Sequence, residues 1–189
     1  MQQRDTQPIL IVEDSEDDFE ATMRAFKRTN LRNSIRWAAS GQEALDMLAT
    51  MVPKPGLILL DLNMPGLDGR KTLEAIKSND GWRKIPVVIL TTSDDERDIE
   101  GCYALGAHTY VQKPVDLDGL FAAIQRLKEY WVRNRDPAAR GLTLWRKTAA
   151  FSSSTTISTI ARSIVAYWAA SPAPPTPSSR RRPAKRALR

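Results

Sequence analysis

Between residues 9 and 131, short apolar runs alternate with stretches of helical spacing. Ile9-Leu10-Ile11-Val12 is the first run, read as a buried strand. Ser15 with Asp18 three residues on resembles a helix start, where negative charge is favoured in the first turn. That helix continues through Phe19, Thr22, Met23 and Phe26, and Asn30 to Asn33 makes a turn. Ser34 to Ala38 alternates like a strand nearer an edge, and Gly41-Gln42-Glu43 opens a helix carrying Ala44, Leu45, Leu48 and Met51. Leu57-Ile58-Leu59-Leu60, entered through Pro53 and Pro55-Gly56, suits a strand buried on both faces. A short helix from Lys71 to Ser78 follows, with Leu73 and Ile76 on one side. Pro86 to Leu90 is a fourth strand. Asp94-Asp95-Glu96 starts a helix that ends on a glycine cap at Leu105-Gly106. Thr109-Tyr110-Val111 is a brief fifth strand, and Asp116 to Trp131 an amphipathic last helix.

This alternation predicts an α/β fold, a doubly wound five-stranded parallel sheet. Right-handed crossovers place the carboxyl ends of all five strands on one edge. Glu13-Asp14, Asp61, Thr91 and Lys113 all fall there. In open sheets that edge collects ligands and chemistry.

Composition changes this picture only at the carboxyl end. Residues 1–133 hold 17 basic and 21 acidic side chains, a net −4, whereas residues 134–189 hold 11 basic and one acidic, a net +10. The two stretches join near Arg135-Asp136-Pro137, so the expected division is a domain at 7–133 and a low-complexity basic tail at 134–189, expected to be disordered. A single cysteine, Cys102, excludes an intramolecular disulfide framework. No apolar run is long enough to span a bilayer, and no signal-peptide core precedes the first strand, so the expected location is the cytoplasm.

Three carboxylates in one small site repel each other unless a cation is present. Oxygen-only ligands favour a hard ion, and a loose, hydrated site suits Mg²⁺ better than Zn²⁺. A carboxylate can also act as a nucleophile toward phosphorus, giving an acyl phosphate. The ion, the Lys113 ammonium and the Thr91 hydroxyl could then each take one phosphoryl oxygen.

Val12-Glu13-Asp14-Ser15, Leu60 through Gly69 with Asp61-Leu62-Asn63-Met64-Pro65-Gly66, Leu90-Thr91-Thr92-Ser93, Gly106-Ala107 and Lys113-Pro114 stand in an order and spacing that resemble a receiver domain of two-component response regulators. The resemblance runs from about Ile9 to Trp131 and implies the flavodoxin-like, CheY-like (βα)5 strand order. It implies that Asp61 accepts a phosphoryl group from a sensor histidine kinase, with Asp14 binding Mg²⁺ directly, Glu13 through water, and the Asn63 main-chain carbonyl as a further ligand. It implies that Lys113 contacts the phosphoryl group and that the bond to Pro114 is cis. Thr91 would move toward the phosphoryl oxygen, and Tyr110 would turn inward into the vacated space. The acidic opening Glu13 through Asp18, the Leu90-Thr91-Thr92-Ser93-Asp94 segment, and Val115-Asp116-Leu117 with Tyr130-Trp131 are similar to single-domain regulators that partner phytochrome-type kinases, typically homodimers. Where the wider family more usually carries Asp, this chain has Glu13.

Taken singly, Asp61 is a turn or cap residue, Glu13-Asp14 an acidic helix leader, Lys113-Pro114 a turn and Tyr110 a core tyrosine; their joint order favours the receiver. His108 is expected in a solvated loop, Cys102 packed on a helix, and Trp37, Trp82 and Trp131 in packing or interfaces. A haloacid-dehalogenase-type phosphatase would need a second Asp where Asn63 stands, and Asn cannot do general acid work. A P-loop or Rossmann glycine motif is absent. The expectation is therefore no enzyme beyond self-phosphorylation and self-dephosphorylation at Asp61. The alternative is a transcription regulator, or a nucleic-acid or membrane-surface binder, using the basic tail. No DNA-reading helix is evident in the tail.

Overall fold

The computed structural model describes residues 7–133 apart from Asp94; for Tyr130 to Arg133 it describes the backbone only. The expectations for the tail and for the Trp131 side chain lie outside the described residues. The chain runs β1 (Ile9–Val12), α1 (Glu16–Arg28), β2 (Ile35–Ala38), α2 (Gly41–Thr50), β3 (Leu57–Leu60), α3 (Gly69–Ser78), β4 (Val87–Thr91), α4 (Glu96–Ala104), β5 (Thr109–Gln112) and α5 (Leu117–Arg133). All four strand pairings are parallel, in the order β2-β1-β3-β4-β5. This is the doubly wound fold expected from the alternation. The order reverses between β1 and β3, the place where such sheets open a crevice.

Residue alternation along the strands divides the core in two. Leu10, Val12, Ile58, Leu60, Val87 and Ile89 pack on one face against Ala44, Leu48, Leu73, Ile76 and Ile99 of α2, α3 and α4. Ile9, Ile11, Leu57, Leu59, Val88 and Leu90 pack on the other against Phe26 of α1 and Leu120, Ile124 and Leu127 of α5. Both faces of the three central strands are thus covered, which is why they read as unbroken aliphatic runs. β2, at the edge, carries the exposed Arg36 and is the strand that alternates.

Side-chain caps fix the helix starts. Ser15 accepts from the Asp18 amide at 3.2 Å, and Ser40, Asp68 and Asp95 do the same for α2, α3 and α4. The Asp68 cap starts α3 at Gly69, two residues earlier than expected. Gly69 is required there by close approach: a Cβ would lie 2.1 Å from the Asp61 carbonyl oxygen. Asp116, expected as the first helical residue, instead caps α5 by accepting from the Gly119 amide at 2.7 Å. Gly106 has φ +95° and donates to the Tyr103 carbonyl, so the glycine cap of α4 stands. One expectation is corrected: the cis peptide is Val52–Pro53, and Lys113–Pro114 is trans. The two forms differ little before proline, so sequence does not choose between them.

Candidate functional site

Three strand ends build the site. β1 delivers Glu13 and Asp14, β3 delivers Asp61, and β5 delivers Lys113. The Asp61 amide donates to the Val12 carbonyl at 3.0 Å and the Lys113 amide to the Thr91 carbonyl at 2.7 Å, so the ladder hydrogen bonds continue into the site and set its width. Glu13 and Asp61 are almost fully buried, Asp14 is exposed, and one carboxylate oxygen of each lies within 4.8 Å of the others. Trp37 donates to the Glu13 carbonyl at 2.7 Å and stacks on Phe19 with ring centres 4.6 Å apart. The tryptophan expected as packing therefore also fastens the acidic loop to β2 and α1.

Lys113 closes the cluster. Its ammonium donates to Glu13 Oε2 at 2.5 Å, Asp61 Oδ2 at 2.7 Å and Asp18 Oδ2 at 2.9 Å. Burial disfavours the charge, but hydrogen bonds to Asp61, Glu13 and Asp18 outweigh it and hold the lysine pKa above its ordinary value. Glu13 is pushed up to about 7 by burial; the bond and charge of Lys113 pull it back, and the Asp61 charge adds to the rise. An all-oxygen donor set at this spacing fits a hard divalent cation such as Mg²⁺ or Mn²⁺. Sequence reading missed Asp18 as a Lys113 partner. Asp18 stands four residues after Asp14 on the first turn of a helix that begins at the site, where an acid is already expected for the helix end alone.

Thr91 is fully buried at the end of β4. Its hydroxyl oxygen accepts from Asn63 Nδ2 at 3.3 Å and from the Ser93 amide at 3.5 Å, while the Asn63 amide donates to Asp61 Oδ1 at 3.1 Å. Asn63 thus links the Asp61 carboxylate to Thr91. Tyr110, expected to turn inward on activation, is already inward in this structure. It is 2% exposed and donates to the Ser93 carbonyl at 2.6 Å. Burial pushes its pKa up to about 12, partly offset by that hydrogen bond. Ser93 Oγ in turn donates to Asp98 of α4 at 2.8 Å, and Asp98 pairs with Arg70 of α3. His108, expected in a solvated loop, is instead partly buried, because its amide donates to the Val87 carbonyl at 2.7 Å and draws the residue against the sheet.

Comparisons with known proteins agree with this geometry. Residues 9–125 match the response regulator receiver domain. The chain is 37% identical over 134 residues to the probable methanogenesis regulatory protein FilR2 of Methanothrix harundinacea, covering 68% of this chain and 86% of that protein. It is 36% identical over 129 residues to the response regulator Rcp1 of Synechocystis, covering 66% and 88%. The crystal structure of the Mn²⁺-bound form of Rcp1 superposes with a TM-score of 0.62, covering 66% of this chain and 94% of that one. The structure of the phosphorylated cyanobacterial phytochrome response regulator RcpA gives 0.64 at 34% identity, covering 67% and 94%. A doubly wound sheet with an acidic triplet and a lysine at its switch point, matched over most of its length by regulators of this kind, places the chain in the response regulator receiver family, which works in phosphorelay signal transduction.

Proposed function

We propose that Asp61 is the phosphoacceptor of this receiver and that a sensor histidine kinase of the phytochrome type supplies the group. The observation that carries the proposal is the Asp61 carboxylate, buried at the end of β3, bonded to Lys113 and grouped with Glu13 and Asp14. In the transfer an Asp61 oxygen attacks phosphorus. The new P–O bond forms as the P–N bond of the phosphohistidine breaks, and its electron pair leaves on the imidazole nitrogen. Glu13, Asp14, Asp61 and the Asn63 main-chain carbonyl would hold Mg²⁺, which supplies positive charge to the phosphoryl oxygens. Lys113 takes a phosphoryl oxygen, and Thr91 a second after releasing Asn63 and Ser93. Tyr110 and the α4 start then respond through Ser93, as a local charge change biasing a two-state element. The phytochrome-type partner is supported by the structural likeness to RcpA and by the Leu90–Asp94 and Val115–Leu117 segments.

The proposal includes residues 7–133 as the receiver, a cytoplasmic location, a homodimer expected from the family resemblance, and no enzymatic activity beyond that at Asp61. Among the described residues no helix is long and apolar enough to cross a membrane. The test is intact mass after acetyl phosphate and Mg²⁺. A single phosphoryl adduct that needs Mg²⁺ and vanishes in Asp61→Asn is the expected result, and an adduct surviving that substitution would overturn the assignment. Light scattering of both forms reads the dimer.

A further inference from the structure

A lysine ammonium has three N–H donors, and here each meets a different carboxylate. Two of these acids, Glu13 and Asp61, have side chains only 5% and 7% exposed; the Asp18 side chain is 48% exposed. The Asp18 backbone is fixed by its bond to the Ser15 cap at 3.2 Å, while its carboxylate keeps water on one side. Lys113 has no fourth donor to give. A phosphoryl group on Asp61 brings three charged oxygens, so one of the present acceptors has to leave. Desolvation decides which one. On acylation Asp61 gives up its own carboxylate charge and presents the phosphoryl oxygens to the ammonium, and parting the buried Glu13 would strand an acid out of water, whereas Asp18 can turn into water at small cost.

We propose that Asp18 is a positioning residue for phosphoryl transfer. It holds the Lys113 ammonium in the unphosphorylated chain and gives up its place there to a phosphoryl oxygen. This inference rests on Asp61 being the acceptor. Because Asp18 shares the ammonium with Asp61, its charge also opposes the incoming anion, so removing that charge frees a donor and weakens a repulsion at once.

The experiment compares wild type, Asp18→Asn, Asp17→Asn and Asp18→Glu by initial rates of adduct formation, read by intact mass with acetyl phosphate and Mg²⁺. Asp17 is exposed on the same turn, so its substitution makes the same change in net charge and helix-end charge without touching Lys113. Asp18→Asn should raise the initial rate about three- to tenfold, with Asp17→Asn within about twofold of wild type. Asp18→Glu, which restores the charge, should return the rate toward wild type. A second readout is Mg²⁺ titration by tryptophan fluorescence, with Trp37 on the Glu13 carbonyl as reporter and Trp37→Phe as control. Asp18 lies outside the acidic triplet, so Asp18→Asn should leave the Mg²⁺ Kd within about threefold of wild type. Equal rates for Asp18→Asn and Asp17→Asn would overturn the proposal. So would a loss of Mg²⁺ affinity of about tenfold or more, the mark of a lost metal ligand. No adduct on folded wild type is a separate result, which would overturn the Asp61 assignment and this inference with it.

Discussion

Two lysines, at opposite edges of the same sheet, show what burial does with and without countercharge. Lys113 sits at the carboxyl ends of the strands among Glu13, Asp18 and Asp61, and its charge is held more firmly than in water. Lys77, at the end of α3, reaches toward the start of β4 and donates to the carbonyls of Ile85 at 2.7 Å and Arg83 at 3.3 Å. Burial pushes its pKa down to about 8. Beside it His108 is pushed down to about 4, first by burial and then by the Lys77 charge. Carbonyl dipoles satisfy hydrogen bonds but do not repay the desolvation of a full charge; carboxylates do. The Lys77 edge is therefore built to hold structure, and the Lys113 edge to hold and exchange charge.

Replacing each lysine by methionine should separate the two edges most widely. Lys113→Met leaves Glu13 and Asp61 buried without their cation and should cost about 3–5 kcal/mol in the absence of divalent ions. Lys77→Met gives up hydrogen bonds to two carbonyls but also removes a poorly compensated charge, and should cost only about 1 kcal/mol. Urea denaturation measures both. Equal losses would mean that the acidic cluster does not depend on Lys113. Lys77→Met should also keep the phosphoryl adduct, and Lys113→Met should lose most of it.

A divalent ion should sharpen the contrast by acting at one edge alone. At 100 times its Kd, Mg²⁺ should raise wild-type stability by about 2.7 kcal/mol through mass action. The gain should survive Lys77→Met and fall in Asp14→Asn, which removes one member of the triplet. A gain unchanged in Asp14→Asn would place the ion elsewhere. The readout is the shift of the denaturation midpoint with Mg²⁺ concentration.

The legibility of the two edges in the sequence differs for the same physical reason. Strand ends are reported by runs such as Leu57–Leu60 stopping on Asp61, because a strand covered on both faces leaves no polar position until it leaves the core. The positions of Glu13, Asp14, Asp61, Thr91 and Lys113 on one edge follow from that pattern. Asp18 was not legible as a Lys113 partner, since it doubles as the acid expected in a helix's first turn. The inward Tyr110 agrees with its reading as a core tyrosine, while its bond to the Ser93 carbonyl is not announced by the strand pattern. The trans Lys113–Pro114 bond and the cis Val52–Pro53 bond were likewise beyond reach, both being proline peptides with little preference. Burial of His108 escaped because one β5-leading amide bond to Val87, not any apolar periodicity, draws it in.

The finest distinction between the edges is in the sign of their pH dependence. Glu13 has a folded pKa of about 7, above its ordinary 4.5, so the folded chain holds more proton between those values. Its contribution to stability is present below pH 4.5 and is lost as pH rises toward 7. His108 has a folded pKa of about 4, below its ordinary 6.5, so here the unfolded chain holds more proton. Its contribution is present above pH 6.5 and is lost as pH falls toward 4. The two slopes oppose each other over pH 4.5 to 6.5, and the wild-type profile in that window should be shallow. Glu13→Gln should expose the histidine slope, with stability climbing as pH rises, and His108→Gln should expose the opposite one. Chemical denaturation at half-unit steps of pH, without divalent ions, reads both. If the two variants gave parallel profiles, the opposing charges would not be the cause, and the division of labour between the two edges would have to be drawn on other grounds.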